Sequence, residues 1–192
     1  MENIAFVSKA GGGKTYLCNY LKQNYGYVQA KMATGVYAIG NVYFGMDSNK
    51  KDRQLLQHIG TEVGRKVINN DIWVSRFVED TFIAKQTYKD LYNKDIAFCS
   101  DDVRFRNEFQ YLKSNGWIVI YLDVPDQIRL SRLKQRDGDA QEATLNHVSE
   151  MEIDTFKDEC FKFDASGSLE TTYQRLEELL EHIRRVKNEN GN

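Results

Sequence analysis

The stretch Ile4-Ala5-Phe6-Val7 runs directly into Ser8-Lys9-Ala10-Gly11-Gly12-Gly13-Lys14-Thr15. An apolar run, a glycine cluster and a Lys-Thr pair, followed at once by helical spacing of Leu17 and Leu21, leave few folds open. Consecutive glycines let backbone N–H groups face inward on an anion, and a helix beginning there points its positive end at the same place. In such a loop the lysine reaches the β- and γ-phosphates and the Ser/Thr hydroxyl helps hold Mg2+. The pattern predicts that Ala10, Gly11, Gly12, Gly13, Lys14 and Thr15 bind the phosphates of a nucleoside triphosphate; the plain alternative is a glycine-rich turn with an incidental lysine. One position departs from G-x-x-x-x-G-K-[ST], because Ser8 stands where the first glycine belongs. If that position needs a positive φ, the serine is strained unless its own hydroxyl relieves it.

The rest of the chain supplies the frame. Short apolar runs appear at Ile4–Val7, Tyr27–Ala30, Ile96–Cys99, Trp117–Leu122 and Cys160–Phe163, and most lack clean alternation, as expected of strands covered on both faces. Helical patterns separate them, over Gly13–Gln23, Arg53–Ile68, a helix capped by Asp71, Phe105–Leu112, Asp126–Gln135 and Leu169–Ile183. Strands alternating with helices predict an α/β fold, a five-stranded parallel sheet in a three-layer α/β/α arrangement. With 192 residues and a single proline, the chain reads as one domain over 1–192, carrying a helical insertion over 31–89.

Charge and cysteine content exclude several classes. A net charge of -2 gives no basic field for nucleic acid or membrane, and the eleven tyrosines read as packing residues rather than a base-stacking surface. Three dispersed cysteines, Cys18, Cys99 and Cys160, form neither a disulfide framework nor a zinc motif, and the histidines lack ligand spacing. No signal peptide or membrane span is visible, so a cytoplasmic location is expected.

Three stretches point to a second substrate. Gly60 and Gly64, four residues apart with Arg65 beside them, leave a helix stripe open either to another helix or to an anionic ligand. Asp101 and Asp102, with Arg104, follow the strand at Ile96–Cys99, where open parallel sheets bind ligands, although aspartates also cap helices there. Carboxylate there suits Mg2+ or its waters, and guanidinium suits phosphate. Arg129, Arg132 and Arg136 form one helical stripe, read as a lid over 129–147 that neutralises transferring phosphates, or as a solvated charged face.

These residues together resemble the phage-type deoxynucleoside monophosphate kinases of the P-loop nucleoside monophosphate kinase superfamily. The resemblance rests on Arg53-Gln54-Leu55-Leu56-Gln57, Gly60-Thr61-Glu62 with Arg65, and Asp71-Ile72-Trp73-Val74. It continues in Asp102-Val103-Arg104-Phe105 with Asn107-Glu108, His147 with Ser149-Glu150, and Gly167-Ser168-Leu169-Glu170, in order along nearly the whole chain. It implies transfer of the γ-phosphoryl of ATP, with Mg2+, to a deoxynucleoside monophosphate. Lys14, Arg129, Arg132 and Arg136 would be catalytic; Lys31, Arg65, Trp73, Asp102 and Arg104 would bind the acceptor; Thr15 and Asp101 would serve the metal carried by ATP, partly through water. Arg106 departs from the family, where a proline is usual, implying an altered turn or one more cation near the acceptor. The alternatives are a kinase of another small metabolite and a non-catalytic ATP-binding module. The partner is a small molecule, and a homodimer is compatible with the sequence.

Overall fold

The computed structural model describes residues 1–47, 52–137 and 151–190. Five parallel strands form one sheet: β1 (Ile4–Val7), β2 (Val28–Gln29), β3 (Phe98–Ser100), β4 (Ile118–Asp123) and β5 (Phe161–Asp164), in the order β2-β3-β1-β4-β5. All four residues of β1 are buried, because both faces of this central strand are covered. Ile4 and Phe6 point to one face with Ile120 and Leu122, and meet Leu17, Cys18 and Leu21 of α1 (Lys14–Tyr25). A long C-terminal helix, named α7 (Leu169–Asn190), closes that face with Leu176 and Leu180. Ala5 and Val7 point to the opposite face, against Phe77 of α4 (Ile72–Tyr92) and Phe109 and Leu112 of α5 (Arg106–Ser114). Two single-turn 3-10 segments, Glu152–Thr155 and Lys157–Glu159, complete that layer with buried Ile153 and Phe156. The architecture is the three-layer α/β/α arrangement expected from the alternating pattern.

Between β2 and β3 the described residues contain helices alone: α2 (Thr34–Phe44), α3 (Arg53–Gln57) and α4. The helical pattern read over Arg53–Ile68 begins as α3 and widens into a π-helix over His58–Ile68. The glycine stripe in that segment receives a helix. A Cβ on Gly64 would lie 2.6 Å from the Trp73 ring and 2.8 Å from the Ile59 carbonyl, while one on Gly35 of α2 would lie 2.8 Å from the same ring. Trp73 Nε1 donates to the Gly60 carbonyl at 2.7 Å, so its polar edge is satisfied as its ring is buried between three helices. Gly64→Ala is therefore expected to destabilise the insertion by about 1–3 kcal/mol, because an indole and a carbonyl cannot both retreat. An unchanged denaturation midpoint would refute that packing account.

Strand order reverses around β1, with β2 and β3 on one side and β4 and β5 on the other. Loops leaving β1 and β3 part at this switch point, opening a crevice beyond the carboxyl ends of the strands. The glycine loop and Asp101-Asp102 are delivered to that crevice by pairing of Ile4 with Cys99 and Ala5 with Ser100.

Candidate phosphate-binding and acceptor site

The loop from Ser8 to Gly13 is shaped by two left-handed glycines, Gly11 at φ 82° and Gly13 at φ 93°. Gly11 is doubly constrained, since a Cβ there would lie 2.5 Å from the Arg129 carbonyl. Ser8 is not left-handed: Asn93 is the sole non-glycine residue at positive φ among those described. The strain foreseen for Ser8 does not arise, and its buried hydroxyl instead donates to the Lys9 carbonyl at 3.0 Å. The serine transfers the need for glycine to Gly12, where a Cβ would fall 2.1 Å from Ser8 Oγ. Lys14 Nζ donates to the Ser8 carbonyl, to Ser8 Oγ at 3.2 Å and to the Lys9 carbonyl at 3.4 Å, so its ammonium lies folded along the loop.

Thr15 and Asp101, both expected to serve the metal carried by ATP, are in contact. Thr15 Oγ1 donates to Asp101 Oδ2 at 2.7 Å, Gln29 Nε2 donates to Oδ1 at 2.9 Å, and Lys31 Nζ lies 3.7 Å from Oδ1. A hydroxyl and a carboxylate in contact are hard oxygen donors of the kind Mg2+ takes, and could hold that ion together with phosphate oxygens and water. Among the described residues no cluster of three His, Cys, Asp or Glu side chains could bind a metal by itself.

Asp102 does different work from its neighbour. Its carboxylate accepts the backbone N–H groups of Met32 and Ala33, each at 3.0 Å, and the Ser100 hydroxyl at 3.2 Å. Burial pushes its pKa above the usual carboxylate range, although the two N–H bonds oppose that. Asp102 fastens the chain on both sides of Met32 to β3 and so fixes where Lys31 emerges.

Arg65 and Trp73, two residues expected at the acceptor, are buried and bonded to other parts of the protein. The Arg65 guanidinium is buried, pairs with Glu108 Oε1, donates to the Asn70 carbonyl at 3.1 Å and stacks 4.0 Å over the Phe105 ring. Glu108 Oε2 also accepts the N–H groups of Arg104 at 2.6 Å and Phe105 at 3.0 Å. The carboxylate thereby ties the π-helical segment to the start of α5, and burial raises its pKa despite Arg65 beside it. Asp71 stands at the start of α4 as expected, but its side chain makes no cap there and accepts Asn107 Nδ2 at 2.8 Å instead. Arg106, the first residue of α5, turns to the segment beyond residue 150. It donates to the Thr155 carbonyl at 2.5 Å and to Glu159 at 2.7 Å.

The arginine stripe lies on α6 (Asp126–Asp137), and the side chains of Arg129 and Arg132 turn to backbone carbonyls. Arg129 is buried, donating to the Ala10 carbonyl at 2.7 Å and to Asp126 Oδ1 at 2.8 Å, which holds the Asp126 carboxyl below its usual range. Arg132 donates to the carbonyls of Ala165 and Gly167 at 3.2 Å each, and its other terminal nitrogen would lie 3.9 Å from a Cβ on Gly13. It therefore borders the N-terminus of α1. The side chain of Arg136 and residues 138–147 of the expected lid lie outside the described residues, as does His147.

Sequence reasoning missed several supports. Lys9 bridges to Asp154 at 2.6 Å, tethering the loop to the segment beyond residue 150. A narrow cleft between Gly12, Gly13, Tyr16, Arg132, Ala165 and Leu169 adjoins the loop, and only the sheet brings its three segments together. A wider, open depression lined by Tyr20, Tyr173 and Glu177 lies on the outer faces of α1 and α7, away from the phosphate loop. No described helix is long and apolar enough to cross a membrane.

A strand, a glycine loop ending in Lys-Thr and a β2-β3-β1-β4-β5 parallel sheet define a P-loop α/β protein with the fold of small-molecule kinases. Two solved kinases share it: a gluconokinase from Sinorhizobium meliloti 1021 (TM-score 0.55, 14% identity, 95% of each chain) and a shikimate kinase from Bacteroides thetaiotaomicron (TM-score 0.51, 14% identity, 94% of this chain and 98% of that one). No protein-family model matches the chain. Among known sequences it is 24% identical to a protein of Acanthamoeba polyphaga mimivirus provisionally named a deoxynucleotide monophosphate kinase, over 92% of this chain and 94% of that one. It is also 25% identical over 114 residues to an uncharacterized protein, ORF76, of Ictalurid herpesvirus 1 (strain Auburn), a match spanning 59% of this chain and 44% of that protein.

Proposed function

We propose that this chain is an ATP-dependent kinase that passes the γ-phosphoryl group to a deoxynucleoside monophosphate. The observation that carries the reading is the meeting of Thr15, Asp101 and Lys31, with Thr15 directly following Lys14 at the end of the glycine loop. The resemblance in motif order and the provisional name of the mimivirus relative support the acceptor class. In this reaction an oxygen of the acceptor phosphate bonds to the γ-phosphorus while the bond to the β–γ bridging oxygen breaks, and ADP leaves. No protein nucleophile is needed, so positioning and charge neutralisation carry the rate. Lys14 turns from the Ser8 and Lys9 oxygens to the β- and γ-phosphates, and Arg132 at the α1 N-terminus meets charge on the transferring group. Mg2+, held at Thr15 and Asp101, would supply further neutralisation of the triphosphate. Lys31 and Arg104 take the acceptor phosphate, each fixed by a buried carboxylate, Asp102 or Glu108, bound to nearby backbone. Arg65 and Trp73 act behind them as supports of the pocket wall.

The direct test is ADP release with ATP, Mg2+ and each ribo- and deoxyribonucleoside monophosphate in turn. Turnover with a subset of deoxynucleotides is the expected result. Silence across the panel, with ATP still bound, would replace this reading by another acceptor class or a non-catalytic module. Arg104→Ala is expected to raise the KM for the monophosphate on the order of tenfold or more while leaving that for ATP unchanged, as loss of one charged hydrogen bond demands. An unchanged acceptor KM would remove Arg104 from the site.

A further inference from the structure

Behind Asp101 a chain of side chains runs to the surface. Lys22, exposed in the last turn of α1, donates to Gln29 Oε1 at 3.3 Å, and Gln29 Nε2 donates to Asp101 Oδ1 at 2.9 Å. Asp101 Oδ2 is thereby left to Thr15 Oγ1 at 2.7 Å. An amide can present either end to a carboxylate, and only its N–H end binds one. Lys22, which can only donate, claims the oxygen of Gln29 and so commits the nitrogen to Asp101. With one carboxylate oxygen tied down on the β2 side, the other is aimed across the crevice at the threonine hydroxyl.

We infer that Gln29 is a positioning residue for the metal-bearing triphosphate: it sets the rotamer of Asp101, and Lys22 sets the orientation of Gln29. The inference rests on the Thr15–Asp101 reading of the metal position given above. Groups that orient a metal-holding carboxylate through its second oxygen alter metal affinity by about tenfold or more when removed. The effect is confined to the metal-bearing ligand, because neither Gln29 nor Lys22 reaches the loop glycines that hold phosphate.

The test is calorimetric titration of the wild type, Gln29→Met and Lys22→Met with ATP, once in excess Mg2+ and once in EDTA. Gln29→Met keeps the length of the side chain and removes the donor. It is expected to weaken MgATP about tenfold and leave metal-free ATP within about twofold. Lys22→Met, at an exposed position that does not bear on folding, is expected to shift MgATP in the same direction by a few-fold, since the amide is then free to turn. Equal losses with and without Mg2+, or no loss in either variant, would overturn the assignment of Gln29. A wild type that gains nothing from Mg2+ would instead overturn the metal position itself, and this inference with it, before any variant is examined.

Discussion

Lys14→Ala is expected to lower phosphoryl transfer by at least 10²–10³-fold, the scale on which removal of one preorganised electrostatic group reads out in turnover. No other described lysine belongs to the loop and the helix start together, and the ammonium already lies within reach of the Ser8 and Lys9 oxygens that line the loop. The fold is expected to survive, because Lys14 is only partly buried and α1 is anchored by Leu17, Cys18 and Leu21. The measurement is turnover beside a melting curve. Full activity in a folded variant would end the assignment of this loop to the triphosphate, whereas loss of activity with the melting temperature retained is the expected pair.

The largest effect on stability is expected from Glu108→Ala. It would strand the buried Arg65 guanidinium without a counter-charge and leave the N–H groups of Arg104 and Phe105 without an acceptor. Breaking a buried pair from one side costs about 3–5 kcal/mol, chiefly through the charge left behind. For a chain of this size that lowers the melting temperature by about 10 °C. Arg65→Met combined with Glu108→Leu is expected to recover a large part of the loss, since no isolated charge remains. The two orphaned backbone groups keep the recovery incomplete. A single variant that melts with the wild type would show that the pair does not hold the insertion to α5.

Much of the fold was legible because it depends on local pattern. The run Ile4–Val7, the three glycines and Lys14-Thr15 specify a strand, a phosphate-type loop and a helix within a dozen residues, and all three are present. The inner strands β3 and β4 showed as short apolar runs because burial removes polar alternation, whereas β5, at the sheet edge, is exposed at Phe161, Lys162 and Asp164. Thr15 and Asp101 were each legible as candidates because one starts the helix after β1 and the other follows β3, and parallel sheets gather such ends; their hydrogen bond was not. Side-chain commitments were not legible. Asp102 differs from Asp101 by one position, yet one carboxylate turns to Met32 and Ala33 and the other to Thr15. Arg65 reads in sequence as a phosphate fork, and nothing local reveals that Glu108, forty-three positions on, occupies it.

The sequence by itself therefore determined the class of fold and the strand, glycine turn and helix that carry Lys14, because these follow from backbone freedom at glycine and from burial periodicity. Tertiary structure alone decided which charges remain for a ligand. A guanidinium or carboxylate bonds to whatever partner folding brings within about 3 Å, and that partner comes from a distant part of the chain. Arg129 on Ala10, Arg106 on Glu159 and Gln29 on Asp101 were each settled in that way.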